Sequence, residues 1–269
     1  APNIAVGLSR MGLKTAVISN MGPDGTRKLS IERLEKEKVS TRYIRSIKGA
    51  KSAYSVVLNF KGEKTLLTSH NQNAYRLPKP MPKTKWIYVS EMGNGYPPFF
   101  SDLARYIRKT GVRLGINPGS IQILDMKPEL FELIKEADIL FVNRTEAQSL
   151  VKKTIDEIHQ LTTELYRLGA KQVVVTDGEN GVVCFDGKTF LSLKAFPTKL
   201  VEATGAGDAF ATGFIGALMH TKTTADALKW GAVNAASVVG QVGPQAGLLT
   251  NRQIISRLKK YPSFKPKSI

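Results

Sequence analysis

The chain has 269 residues, 42% of them hydrophobic and 23% charged, and its 39 Lys and Arg against 22 Asp and Glu give a net charge of +17. No apolar run approaches the roughly 20 residues that cross a bilayer, and Cys184, the single cysteine, excludes an intrachain disulfide and a cysteine-rich metal site. The basic excess over 27–64 and 252–269 lacks the interleaved aromatics of a single-strand platform. Nucleic acid is therefore disfavoured as a partner, and a solvated basic surface that draws in polyanions such as nucleotides is expected. A single soluble domain in a reducing, cytoplasmic setting fits these values, with no membrane partner.

Residues 3–11 place Ile4, Ala5, Leu8 and Met11 on one helical face that ends at Gly12. Residues 14–19 read as a buried strand, 21–25 as a turn, and 27–38 as a charged amphipathic helix with Leu29 and Leu34 turned inward. The chain opens at Ala1 without Met and already inside an amphipathic segment, so a trimmed or missing N-terminal stretch is expected. From Thr41 the rhythm changes to three short segments rich in β-branched and aromatic residues, TRYIRSI, SAYSVVLNF and EKTLLTS, separated by KGAK and KGEK turns. They predict a small antiparallel patch, inserted over about 41–70. It is too small for a core of its own and should serve as a flap or a homodimer contact. The polar, proline-rich stretch from His70 to Lys83 then returns to the main body.

Alternation resumes with a strand at 86–90, a helix at 98–111 stopped by Gly111, a strand at 112–117, a helix at 128–137 and a strand at 138–143. Helices at 145–153 and 155–169 and a strand at 172–176 follow. This spacing predicts a parallel sheet covered by helices on both faces, with ligands at the carboxyl ends of the strands. Asn117, Asn143, Glu146, Asp177 and Gly178 should converge there. An Asp-Gly dipeptide predicts a hairpin over 181–196. Residues 209–219 are apolar nearly all round, which predicts a buried helix, and 223–242 and 251–261 predict two more.

The stretch VEATGAGDAFATGF (201–214) carries the strongest chemical signal. A β-like run over 199–201, a turn at Gly205, Ala206 and Gly207 and the apolar helix after it put unpaired N–H groups at a helix mouth, a site for an anion. Asp208 sits in the same field, which keeps a carboxylate ionised and able to accept a proton. Anion hole and base together suit phosphoryl transfer to a hydroxyl; a plain strand-to-helix turn with an acidic helix start is the alternative.

The segment E-A-T-G-A-G-D-A-F-A-T-G-F (202–214) resembles the signature of the ribokinase-like (PfkB) carbohydrate kinase family. The resemblance implies a three-layer α/β/α fold with a mostly parallel central sheet and a small β lid. It implies Asp208 as the base, with the amides of Gly205, Ala206 and Gly207 stabilising the transferring phosphate. Asn143-Arg144-Thr145-Glu146 resembles the family's N-x-x-E motif, which implies that Asn143 and Glu146 organise Mg²⁺ and phosphates through water. Thr176, Gly178 and Gly181 match a nucleotide-cradling loop, and Asn234 resembles an asparagine beside the adenine of ATP. Asn3 and Asp24 resemble sugar-contacting positions, and the insertion at 41–70 resembles the lid. Two features depart from the family pattern: its first strand, with a sugar-gripping Asp, does not precede Ala1, and Glu202 replaces the usual Asp near the K⁺ region of cation-dependent members. Arg27 stands where a glycine is common and would place a basic group by the lid hinge. ATP-dependent phosphorylation of a sugar is the implied activity. A nucleoside kinase and a catalytically silent binding relative are the alternatives. Of the histidines, His159 and His220 are expected to be structural and His70 to reach substrate.

Overall fold

The computed structural model describes residues 1–60, 63–69 and 74–268. Helix α1 (Pro2–Arg10) leads to β1 (Ala16–Met21), α2 (Gly25–Lys36) and β2 (Ser40–Ser46), and then to a hairpin of β3 (Tyr54–Phe60) and β4 (Glu63–Ser69). The main body follows as β5 (Trp86–Val89), α3 (Pro97–Thr110), β6 (Arg113–Ile116), α4 (Ser120–Asp125), α5 (Pro128–Lys135), β7 (Ile139–Asn143), α6 (Arg144–Val151), α7 (Ile158–Tyr166) and β8 (Val173–Thr176). It closes with β9 (Val182–Phe185), β10 (Phe190–Leu193), α8 (Ala206–Met219), α9 (Thr224–Val239), α10 (Asn251–Lys259) and β11 (Lys267–Ser268).

One sheet runs in the order β11-β10-β9-β8-β7-β6-β5. Strands β5 to β8 pair in parallel, and β9, β10 and β11 extend the sheet antiparallel. The central strands read as continuous apolar runs because both faces are covered, and their alternation sorts side chains by layer. Leu140, Val142, Val173 and Val175 join a core with α3, α5, α6 and α7 on one face. Ile139, Phe141 and Val174 join a second core with α8, α9 and α10 on the other. Helix α8 is buried at every position from Ala209 to Ala217, as its uninterrupted apolar sequence requires.

Three expectations need correction. The segment 41–47 is not part of an antiparallel patch: β2 pairs in parallel with β1, Asn20 opposite Arg45, because α2 supplies the crossover that returns the chain in the same direction. The predicted strand at 14–19 accordingly belongs to this two-stranded sheet and not to the main one, and Val17 is its only buried residue. The antiparallel element is the β3–β4 hairpin alone. The β-like run over 199–201 forms no strand; Leu200 and Val201 are 65% and 52% exposed, and the N–H of Val201 donates to Val239 O, the last residue of α9, at 2.8 Å. No helix among the described residues is long and apolar enough to cross a membrane.

Helices α8 and α9 approach closely enough that a Cβ at Gly213 would lie 2.5 Å from Trp230 O and 2.8 Å from Gly231 Cα. Those neighbours are backbone and cannot rotate away. Gly213→Ala is expected to destabilise the protein by about 1–3 kcal/mol, read as an earlier denaturation midpoint in urea.

Candidate active site

The ladder pairs Val89 with Ile116 and Asn143 with Thr176, so the strand ends lie level along one edge of the sheet. Just past those ends stand Glu91, Asn117, Glu146 and Asp177. Asn143 caps α6: its Oδ1 accepts from the N–H of Glu146 at 2.9 Å, and its own N–H donates to Glu146 Oε2 at 2.9 Å. Asn117 Nδ2 donates to Phe141 O at 2.9 Å and to the same Glu146 oxygen at 3.3 Å. The Asn-x-x-Glu spacing is thus a capping box whose carboxylate is turned toward the strand ends. Arg144, from the same motif, pairs with Asp177 at 3.0 Å and ties this loop to the one after β8.

Helix α8 ends at the same edge. Gly205 is its N-cap with φ +82°, and a Cβ there would lie 2.5 Å from Pro244 Cβ, so both conformation and space demand glycine. Nothing lies within 4 Å of a Cβ built on Gly207, so a ligand can approach that backbone closely. The helix starts at Ala206, earlier than the apolar pattern indicates, which makes Asp208 a first-turn residue. Ala206 N–H turns back to Ala203 O at 3.2 Å. The open amides are those of Gly207 and Asp208, which meet no acceptor among the described residues. The buried hydroxyl of Thr204 likewise has no partner among them.

Asn3 Nδ2 donates to Asp208 Oδ2 at 2.8 Å, and Gln245 Nε2 donates to Asn3 Oδ1 at 3.0 Å. Arg10 secures that arm from behind: it donates to Gln245 O at 2.8 Å and Leu248 O at 3.1 Å, and holds Glu37 through two nitrogens at 2.6 and 2.9 Å. Asn3 therefore orients the Asp208 carboxylate directly. The Arg10–Glu37 hydrogen bonds hold the Glu37 carboxyl below its ordinary range.

The other expected positions divide. Thr176 ends β8, and Gly178 (φ +54°) and Gly181 (φ +101°) shape the turn after it; a Cβ at Gly181 would collide with Leu193 O, so this glycine also closes the hairpin. Asp24 caps α2 and accepts from Ser52 N–H at 2.7 Å and Ser52 Oγ at 2.8 Å, which hold its carboxyl below the ordinary range. Its contacts are those of a brace between α2 and the lid base. Asn234 is fully buried, donates to Ala209 O at 2.7 Å and accepts from Leu249 N–H at 3.0 Å. A buried amide must find partners inside, and this one pins the first turn of α8. Glu202 accepts from Gly243 N–H at 2.8 Å. His159 stacks edge-on against Phe190 and His220 meets Met11 O at 3.1 Å, both structural; His70 lies outside the described residues.

Between the strand ends and the lid lies a cavity of about 490 Å³ lined by Asn20, Tyr54, Arg76, Tyr88, Ser90 and Glu91. Burial raises the Glu146 carboxyl above its ordinary range; its hydrogen bonds oppose this, while the charges of Glu91 and Asp208 push it further up. Burial, then Asp208 and Glu146, raise the Tyr88 hydroxyl in the same way, and that hydroxyl has no hydrogen-bond partner among the described residues. The carboxylates thus sense one another across a negative well, although no three acidic, His or Cys groups among the described residues come together as a ready metal cage. Oxygen donors in that arrangement suit a hard divalent cation that keeps part of its water and shares phosphate oxygens. Glu91 and Tyr88 carry no motif and were invisible in the sequence. The exposed apolar group Leu200, Val201 and Val242 beside the α8 mouth was equally hidden, since 199–201 reads as a β-like run and Val242 as the end of a helix.

The description of the pfkB family carbohydrate kinases matches residues 1–251. The ribokinase of Haemophilus influenzae is 27% identical over 268 residues, covering 96% of this chain and 85% of that protein. Arabidopsis thaliana ribokinase, solved with ribose and ATP, superposes with a TM-score of 0.83 at 24% identity over 96% of this chain and 86% of its own. A Burkholderia thailandensis nucleoside kinase, solved with inosine, gives 0.80 at 21% identity over 99% and 88%. The fold is therefore the ribokinase-like one.

Because the folded pKa of Glu146 is raised, its protonated form supports the fold below the unfolded pKa, and that support is lost as pH rises through the folded pKa. Above that range an ionised, buried carboxylate remains beside two others. Glu146→Gln is expected to raise the melting temperature at pH 7.5 and to change it little at pH 4, as checked by scanning calorimetry.

Proposed function

The chain belongs to the pfkB family of carbohydrate kinases, and on that footing we propose that it transfers the terminal phosphoryl group of ATP to a hydroxyl of a sugar held in the cavity beneath the lid. The observation that carries this reading is the Asp208 carboxylate, fixed by Asn3 at 2.8 Å in the first turn of α8 beside the open N–H of Gly207. Asp208 takes the acceptor's proton as its oxygen attacks phosphorus, and ADP leaves with the bond electrons. The N–H groups of Gly207 and Asp208 hold the charge that builds on the phosphoryl oxygens, with Gly205 and Ala206 shaping the turn that presents them. Thr176, Gly178 and Gly181 border the nucleotide, and Leu200, Val201 and Val242 offer its base an apolar shelf. Asn143 and Glu146 would hold Mg²⁺ through water, and Mg²⁺ supplies charge neutralisation between the phosphates. Asn234 contributes through α8 alone, and Asp24 through the lid base.

A nucleoside acceptor is the second reading. A cavity of about 490 Å³ lies within the few hundred to about 1,000 Å³ of small-molecule sites and has room for a base beside a pentose. The lid hairpin exposes Tyr54, Val56 and Leu58 along one face, which suits the expected homodimer contact; Val56→Asp with Leu58→Asp should give a monomer by light scattering, and an unchanged mass would remove that contact.

Asp208→Asn should lower phosphoryl transfer by about 10²–10⁴-fold while an unreactive ATP analogue still binds within about threefold of the parent. A variant of undiminished turnover would sink the assignment of the base. Thermal shifts across a panel of sugars and nucleosides would separate the two acceptors, and a parent protein that binds ATP without turnover on any of them would favour the silent binding relative.

A further inference from the structure

A second, larger cavity of about 1370 Å³ shares the Tyr75–Met81 strap with the acceptor cavity. Its charged lining is Arg45, Arg76, Lys79, Asp102, Arg105 and Lys109. Asp102 is itself paired with Arg105 at 3.0 Å, and among the described residues Arg45, Arg76, Lys79 and Lys109 meet no acidic partner. These cations are far apart in sequence and are brought together by the fold. Arg45 projects from β2, whose register partner Asn20 donates to Ala74 O at 3.1 Å and so anchors the strap. Arg76 and Lys79 stand on the strap, and Arg105 and Lys109 are one turn apart on α3.

The scaffold is stiff. Pro78 and Pro80 fix φ along the strap. Tyr75 packs edge-on against Phe99 and its Oη accepts from Gly93 N–H at 3.1 Å. Helix α3 buries Leu103, Ala104 and Ile107 directly behind Arg105 and Lys109. Like charges one turn apart on a helix are mildly destabilising, and here further cations face them across a concave surface, an arrangement relieved by an anion with several contiguous charges. The two tyrosines of the wall, Tyr75 and Tyr106, are half-buried, so no fully open ring is offered for a base to stack on, and a nucleic-acid strand gains little here beyond its backbone charge.

We propose that this cavity is a binding site for an oligophosphate group, carried by a small molecule and separate from the phosphoryl-transfer centre. A strap and a helix already in place lower the ordering cost of binding, and Arg45, Arg76, Lys79 and Lys109 supply positive charge for a run of adjacent phosphates. The strap gives the site a consequence. Tyr75, Arg76, Leu77 and Met81 line both cavities, so a ligand gripping Arg76 from outside shifts acceptor affinity, and the acceptor shifts the ligand's affinity by the same factor.

The test is calorimetric titration of inorganic tripolyphosphate into the full chain, counting sites beyond that of the phosphoryl donor. One further site is expected, weakening as salt rises. In Arg105→Glu with Lys109→Glu its affinity should fall at least tenfold at an unchanged melting temperature; Lys79→Glu, on a different element, should weaken it in the same direction if the helix variant misfolds. The same titration with ADP distinguishes a free oligophosphate from a nucleotide-borne one. Absence of the further site, or affinity within twofold in both charge-reversal variants, overturns the proposal. So does a single-stranded RNA that binds with the same sensitivity to these substitutions where tripolyphosphate does not bind. None of these readouts depends on turnover, so the outcome is independent of the kinase assignment.

Discussion

The packing of α8 is the constraint on which the remainder depends. A helix buried on all sides from Ala209 to Ala217 has no freedom to slide or tilt, and its small residues let neighbours close in to backbone distance. Gly7 in α1 leaves room for Thr212, Gly216 for Met11, and Gly213 for the Trp230 carbonyl. Interiors at this density transmit displacement instead of absorbing it. The position of the first turn, and so of Asp208 and its flanking amides, is consequently fixed by the whole of the second core. Asn234 completes the arrangement from inside by bonding Ala209 O and Leu249 N–H together.

Electrostatics then separates two regions of one basic protein. With a net charge of +17, the long-range field favours approach of an anionic nucleotide. Around the proposed reaction centre the local sign is reversed: burial and the charges of Glu91 and Asp208 raise the cost of ionising Glu146, and burial with Asp208 and Glu146 that of ionising Tyr88. Three acids near one another in a partly buried place do not stabilise a fold. They make physical sense beside a divalent cation and phosphates, whose charges are supplied only when ligands arrive. Stability has been exchanged for a waiting coordination environment, a pattern common to functional centres.

Much of this was legible in the sequence, for reasons that differ by element. The parallel strands, the Asp-Gly hairpin and the buried helix follow from periodicity and turn chemistry, and the capping box follows from Asn143 and Glu146 at their spacing. What could not be read is long-range pairing. Whether residues 41–47 return parallel or antiparallel depends on what α2 packs against, and a single run of residues carries no such information. The asparagines illustrate the same limit. Asn3 and Asn234 have the same side chain, yet one lies at the reacting carboxylate and the other in the core, and only the distances to Asp208 Oδ2 and Ala209 O separate them. Glu91 escaped notice because it stands in no motif; its signal is three-dimensional, in the close approach of Gly119 to its side chain.

The two sides of the reaction are held by different physics. On the proposed reading phosphate meets backbone at the end of a buried helix, where changing one residue disturbs the second core. The acceptor cavity of the same reading is lined by side chains on thinly packed elements: a two-stranded parallel sheet, a two-stranded hairpin and a proline-stiffened strap. Small sheets of this kind cannot hold themselves together without support from the main body, so they move and tolerate substitution more readily than the sheet beneath. A family built this way can change its acceptor without altering how phosphorus is attacked. On that reading the glycine turn before Asp208 carries the chemistry, whereas Arg76, Tyr54 and their neighbours on the lid and strap select the molecule that undergoes it.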